Sequence, residues 1–304
     1  MPMRRHHRSC RLGAAATAAC LCAAAAPARA DGPLPWHRGA GKLLLTGGVS
    51  SIEGAAGGGL TPWAVIGGPG TQGQWGLSAH ASLARTQDYQ LTAHGIAVGL
   101  NDRAEFSLAQ QAFEAGAAVP GATLRHTIAG FKWRVLGDAV LDSDRLMPQL
   151  ALGAQFKRVD PGAAVGALLD SVAARREGVD LYASATKLLL AQGVLVNATL
   201  RATKANQNGL LGFGSVQQHR HRVQPEISIA WLARRDLAIG AEYRAKPDNL
   251  AFAGAAFHED DWKDLFVAWA PSKHLSLTLA WVHLGQIVGH ASQRGAYLSL
   301  QVAP

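Results

Sequence analysis

Alternation of apolar and polar residues, repeated along most of the chain, constrains the fold more than any other feature of the sequence. From Trp75 the odd positions Trp75, Leu77, Ala79, Ala81 and Leu83 alternate with Gly76, Ser78, His80 and Ser82. Leu150, Leu152, Ala154 and Phe156 alternate with Gln149, Gly153, Gln155 and Lys157. The pattern returns from Val194 to Thr203, from Leu237 to Lys246 and from Leu275 to Trp281. Successive strand side chains point to opposite faces, so each run is a ribbon with one apolar and one polar side. Each ribbon spans about nine to twelve residues, longer than most soluble strands and close to the ~9–11 of a tilted membrane strand.

Fourteen candidate strands begin near Lys42, Leu60, Trp75, Tyr89, Ala104, Thr123, Pro148, Val179, Val194, Val223, Leu237, Trp262, Leu275 and Gly295. Gly47-Gly48 and Pro62 interrupt the first two, so twelve strands is the alternative count. Tight connections with polar turn residues (Asn101-Asp102-Arg103, Arg234-Arg235-Asp236, Pro271-Ser272-Lys273-His274) alternate with long ones (114–122, 158–178, 205–222, 247–261). Short periplasmic turns opposite longer outer loops mark a membrane barrel. The long connection at 137–147 falls on what should be the short side. The expected fold is therefore all-β, a transmembrane antiparallel up-and-down barrel of about fourteen strands. A soluble β-sandwich also alternates. Strand length, the alternation of connections and the absence of unpaired edges in a closed sheet favour the barrel.

The N-terminus agrees with export. Arg4, Arg5, Arg8 and Arg11 precede an Ala-rich apolar stretch, and Ala28-Arg29-Ala30 supplies a small-x-small cleavage pattern. Residues 1–30 read as a signal peptide cut before Asp31, leaving one barrel domain over 31–304. A lipoprotein, through Cys20 or Cys22, is the alternative, although Thr17-Ala18-Ala19-Cys20 is a poor lipobox. All three cysteines lie in this segment, which excludes a disulfide scaffold, a Cys-ligated zinc and a Cys nucleophile from the mature chain. Removing its five arginines from 29 basic residues, against 21 acidic ones, reduces the net charge from +8 to +3. That leaves no nucleic-acid footprint. No mature segment has the ~18 apolar residues of a membrane helix.

Several stretches resemble a known family. They are Gly41-Lys42-Leu43-Leu44-Leu45-Thr46-Gly47-Gly48-Val49-Ser50, the run from Leu200-Arg201-Ala202-Thr203 through Gly212-Phe213-Gly214, Gly240 to Leu250, and Ala268-Trp269-Ala270-Pro271. Together they are similar to a proteobacterial domain-of-unknown-function family regarded as outer-membrane barrels. The resemblance spans nearly the whole mature chain and implies a barrel, with no activity or catalytic residues to carry over.

With the apolar rows on lipid, the opposite rows line the lumen. They bring His126, Lys132, Arg134, Lys157, Arg201, Arg244 and Lys246 inside with Glu105, Asp180, Glu226 and Glu242. The slight cationic excess suits a passive channel for small polar solutes with a mild anion preference. A network of charge pairs filling a narrow or plugged lumen is the competing reading, and with it a structural or surface-interaction barrel. Inward folding of 158–178 or 205–222 would plug the channel. Ser78, His80 and Ser82 share one strand face, with His94 and Glu105 on neighbouring strands, the residue types of a serine hydrolase. The chain lacks a nucleophile elbow, and it is read as no enzyme. His258-Glu259-Asp260-Asp261 is a weak calcium candidate and His219-Arg220-His221 a weak metal or headgroup site, so no metal and no cofactor is expected. Gly57-Gly58-Gly59 lacks the Gly-Lys-Ser/Thr ending of a phosphate loop. Expected partners are outer-membrane lipid, lipopolysaccharide and the barrel assembly machinery. An arginine at lipid-facing Leu237, read as lying near mid-membrane, is expected to cost roughly 2–4 kcal/mol.

Overall fold

The computed structural model describes residues 41–142 and 146–304. The segment read as a signal peptide, with its expected cleavage site, lies outside these residues. The alternating runs form strands β3 (Trp75–Thr86), β4 (Gln90–Leu100), β5 (Ala104–Glu114), β6 (Thr123–Leu136), β7 (Gln149–Asp160), β8 (Glu177–Leu189) and β9 (Val194–Thr203). They continue as β10 (Arg222–Arg234), β11 (Leu237–Arg244), β12 (Trp262–Ser272), β13 (Leu275–His283) and β14 (Arg294–Val302). Each strand pairs antiparallel with its sequence neighbours, and β14 pairs with β3 (Leu300 opposite Ala81) to close the barrel.

The barrel thus has twelve strands, the alternative count, and not fourteen. The first two candidates form no wall. Among the described residues they pair only within themselves, as a two-residue ladder of β1 (Val49–Ser50) with β2 (Ala56–Gly57) inside the barrel and an isolated bridge between Gly57 and Pro62. The physical reason is local: Pro62 has no N–H for a ladder, and glycines at 47–48 and 57–59 suit bends better than extended wall.

Burial alternates along every barrel strand with the parity of the sequence pattern. Leu152, Leu265, Leu279 and Trp281 are each at least 50% exposed and form part of the apolar outer band. Outward-facing Trp75, Trp133, Trp231 and Trp269 all lie close to the short-turn end of their strands. Indole rings favour the headgroup level, so this ring marks one membrane interface. The short turns after β4, β8, β10 and β12 share that end, and the loops after β5, β7, β9, β11 and β13 share the other. The β7–β8 loop carries helix α1 (Gly162–Ser171). The long β6–β7 connection remains at the short-turn end, where it partly folds under the barrel: Ala139 is buried and its N–H donates to Gln149 Oε1 (3.1 Å). Among the described residues no helix is long and apolar enough to cross a membrane.

Candidate functional site

An eight-strand barrel is nearly filled by its own side chains, whereas sixteen strands leave an aqueous channel. Twelve strands enclose an intermediate space, and here residues 46–67 occupy it. Ser51, Glu53, Thr61 and Ala64 within this segment have no solvent exposure. A strand edge or an isolated loop buried in this way must find partners for its peptide groups. The inward side chains of the wall provide them.

Toward the short-turn end, Glu105 accepts from the N–H groups of Ala56 (3.0 Å) and Gly67 (2.7 Å), while Lys132 Nζ donates to the carbonyls of Ala56 and Val65 (both 2.9 Å). Lys132 also pairs with Glu105 at 3.1 Å. Gln149 donates to the Ala64 carbonyl (2.7 Å), and the Ala64 N–H donates to Thr186 Oγ1 (2.8 Å). The Pro62 carbonyl accepts from Thr199 (2.9 Å) and Ser184 (3.2 Å). On the opposite wall Glu242 accepts from Leu60 N–H (2.7 Å) and from the hydroxyls of Thr61 (2.6 Å) and Ser228 (2.8 Å). A side chain at Gly58 would collide with that carboxylate, so the glycine run is a close approach of backbone to wall. Gly99 on β4 has the same cause: a Cβ there would meet the Gly67 carbonyl.

The centre of the lumen is an ion cluster. Glu53, carried inward by the luminal segment, pairs with Lys157, with Arg201 Nη2 (3.1 Å) and with Arg244 Nη2 (3.0 Å). Asp180 binds Lys157 at 2.7 Å, and Glu226 binds Arg201 Nε at 2.5 Å and lies 3.3 Å from Arg244 Nε. All six side chains are essentially shielded from solvent. His126, also buried, bonds Gln111 (3.0 Å), which in turn donates to the Ile52 carbonyl (2.7 Å).

Above the ion cluster, toward the long loops, the lumen becomes apolar. Leu91, Phe113, Leu124, Trp262, Val282 and Tyr297 face inward and pack with the loop residues Leu210, Leu211, Ile287 and Val288 and with Ile52 of the luminal segment. The loops are latched over this layer. Glu259 accepts from Gln207 N–H (2.9 Å), Lys246 Nζ lies 3.5 Å from Glu259, and Asn249 donates to Asn206 (3.0 Å). Burial pushes the Glu259 carboxyl up to about 7, with Lys246 pulling against it. At the short-turn end a cavity of about 720 Å³ opens beneath the luminal segment, with Lys42, Thr46, Asn101, Asp102, Arg134 and Gln149 in its lining.

Two residues read as lumen-lining sit at its ends. Arg134 closes the turn end of β6 against Asp102 and Asp138, and Lys246 lies past β11 in the latch. Asp264, which pattern reading missed, is inward and buried on β12. The buried basic residues of the strands are then Lys132, Lys157, Arg201 and Arg244 beside the carboxyl residues Glu105, Asp180, Glu226, Glu242 and Asp264, so a count of residues no longer gives the expected cationic excess. The N-terminal segment fills most of the lumen, and the 205–222 loop caps it from the other end: Leu210 and Leu211 enter the apolar layer, and Asn208 Oδ1 accepts from Arg244 Nη1 (3.3 Å) and lies 3.4 Å from Lys157 Nζ.

The hydrolase set does not assemble. His80 faces inward and His94 points to the opposite face, while Glu105 is engaged by Lys132 and the luminal segment. His258 binds Asp248, Asp261 accepts from Tyr243, and Glu259 turns inward, so that loop cluster does not converge on a cation. Among the described residues no group of three metal-ligating side chains forms.

No curated protein is similar to the chain in sequence. Solved structures of similar fold include the NanC porin (6% identity, 75% of this chain and 99% of that one, TM-score 0.49). Others are Omp33 of Acinetobacter baumannii (5%, 75% and 97%, 0.44) and the outer membrane phospholipase A of Escherichia coli (8%, 75% and 89%, 0.40). A family model matches from the luminal segment into the last strand: over residues 46–301 the chain matches, and belongs to, the family described as Protein of unknown function (DUF3034).

Proposed function

We propose that this protein is an exported outer-membrane conduit for small polar solutes that rests closed, with residues 46–67 as its gate. The observation that supports this most is how the segment is held. It is joined to β3 only through residues 68–74, at the short-turn end, it pairs with no wall strand, and its polar contacts with the wall are hydrogen bonds and ion pairs that water can replace, beside buried apolar residues such as Ile52, Trp63 and Val65. The cavity of about 720 Å³ lies on the side toward which it would withdraw. The short-turn end faces the periplasm in this reading, and the signal segment directs export. Protein isolated from the outer membrane is then expected to begin at Asp31, and an acylated Cys20 or Cys22 would refute that.

Conductance in a planar bilayer tests the gate. The intact barrel should be silent, and a variant with residues 46–67 replaced by a Gly-Ser linker should give stable single-channel steps. The second reading, a structural barrel without transport, is favoured by the apolar layer under the loops. A linker variant that is folded but still silent, even with 205–215 trimmed, would leave that second reading in place.

A further inference from the structure

The ion cluster around Glu53 has the composition of a ligand site. Three cations from three different strands, Lys157 on β7, Arg201 on β9 and Arg244 on β11, converge on one carboxylate that belongs to none of those strands. Asp180 and Glu226 neutralise two of the three, so without Glu53 the cluster keeps one positive charge in excess. The guanidinium donors are set in fixed forks, the geometry that recognises planar carboxylates. The wall holds two of these side chains independently of the luminal segment, whereas Arg244 also bonds the Leu60 carbonyl of that segment and Asn208 of a loop. Arg201 is bonded by Glu226 and by Gln155 Oε1 (2.7 Å), and Lys157 by Asp180. Gln155 Nε2, buried beside the cluster, has no hydrogen-bond partner among the described residues, so donor capacity there exceeds what Glu53 uses.

We infer that Lys157, Arg201 and Arg244 form a site for a monocarboxylate solute, and that Glu53 is its tethered occupant in the closed barrel. The inference rests on the gate reading and gives it a substrate class. Withdrawal of the luminal segment removes the Glu53 carboxylate, and a free carboxylate at the same cations replaces it without a change in buried charge. Competition for the cluster then couples solute arrival to opening, because a ligand that binds only the vacated cluster shifts the equilibrium toward the open form.

Glu53→Ala removes a group of the size of acetate and leaves the cations. In the full purified barrel this variant should unfold at a lower denaturant midpoint than the natural protein, and acetate should shift the midpoint back upward to saturation. Acetamide and chloride at matched ionic strength should not, the natural protein, where acetate must first displace Glu53, should respond far less than the variant, and Glu53→Gln, whose amide fills the space, should respond little. Should Glu53→Ala refold only with an anion present, the yield in acetate against acetamide reads the same contrast. No acetate-specific gain in midpoint or yield would overturn the carboxylate site. A silent linker variant would instead overturn the gate while leaving this contrast intact, so the two failures are distinguishable.

Discussion

At the scale of single residues, the charges of this barrel divide by burial. Lys132 is about 1% exposed and holds three acceptors at once, the Glu105 carboxylate and two carbonyls of the luminal segment. Lys132→Met would strand a buried carboxylate and two buried carbonyls. The expected loss is about 3–5 kcal/mol in unfolding free energy, measured by denaturant titration in lipid or detergent. Arg176 pairs with Asp170 at 3.2 Å on the exposed β7–β8 loop, and Arg176→Ala there should cost no more than about 1 kcal/mol. Equal losses at the two positions would mean that the luminal contacts carry no special weight. Side-chain direction was legible in the sequence because strand parity alone decides it: Glu105, Lys157, Arg201 and Glu242 follow from the alternation around them. Asp264 was hidden because its neighbours on the inward row of β12, Trp262, Phe266 and Ala268, are as apolar as the outward row. Glu53 was hidden for a different reason, since it precedes the first regular strand and no local period reports where an irregular segment goes.

Among elements, strand ends and strand middles should respond differently to the same change. Leu237 is the first residue of β11, beside the short turn and opposite Trp269 of the interfacial ring, and not near mid-membrane as its sequence suggests. Leu279 occupies the middle of β13 and is 53% exposed on the outer face. Leu279→Arg should therefore cost roughly 2–4 kcal/mol and Leu237→Arg only about 0–1 kcal/mol. A reversed order in unfolding titrations would displace the membrane band from where the tryptophans put it. The loops offer a separate test through pH. The Glu259 carboxyl is raised to about 7 by burial, above the usual carboxylate value. A raised folded value means that its contribution to the latch is complete below the unfolded value and is lost as pH climbs through about 7. Protection of Gln207 N–H, which bonds Glu259, should fall across that window in hydrogen exchange. Glu259→Gln should flatten the dependence, and an unchanged profile in the variant would remove Glu259 as its source. Loop lengths and their alternation were readable from turn residues. The latch was not, because it joins Gln207, Lys246 and Glu259 across sequence gaps with no shared period.

For the molecule as a whole, strand number and luminal filling are one problem. Twelve strands leave a space that inward side chains alone do not close, and the polar wall could solvate either water or a peptide segment. The stretches of family resemblance include Gly41–Ser50, at the entry to the luminal segment, and Leu200–Gly214 with Gly240–Leu250, which hold Arg201, Arg244 and the latch residues other than Glu259. The sequence therefore carried the parts of the closed state without showing that they meet. Whether the segment is a permanent core or a gate depends on how it opens. A permanent core would share the cooperative unfolding of the barrel. A gate opens as its own unit, at lower free energy than the wall, because leaving the lumen breaks side-chain contacts but no strand ladder. Hydrogen exchange of the intact barrel in lipid separates these outcomes at Ala56, Leu60, Ala64 and Gly67, whose N–H groups are all bonded to wall side chains. These four amides should exchange together, and faster than the ladder amides of β5 and β11 that flank them. Raising ionic strength should speed them further, since the Glu53 pairs become less favourable relative to the open form as mobile ions reach the exposed cations. Exchange that tracks the strand amides at every salt concentration would make residues 46–67 part of the barrel's fixed core and remove the basis for conduction.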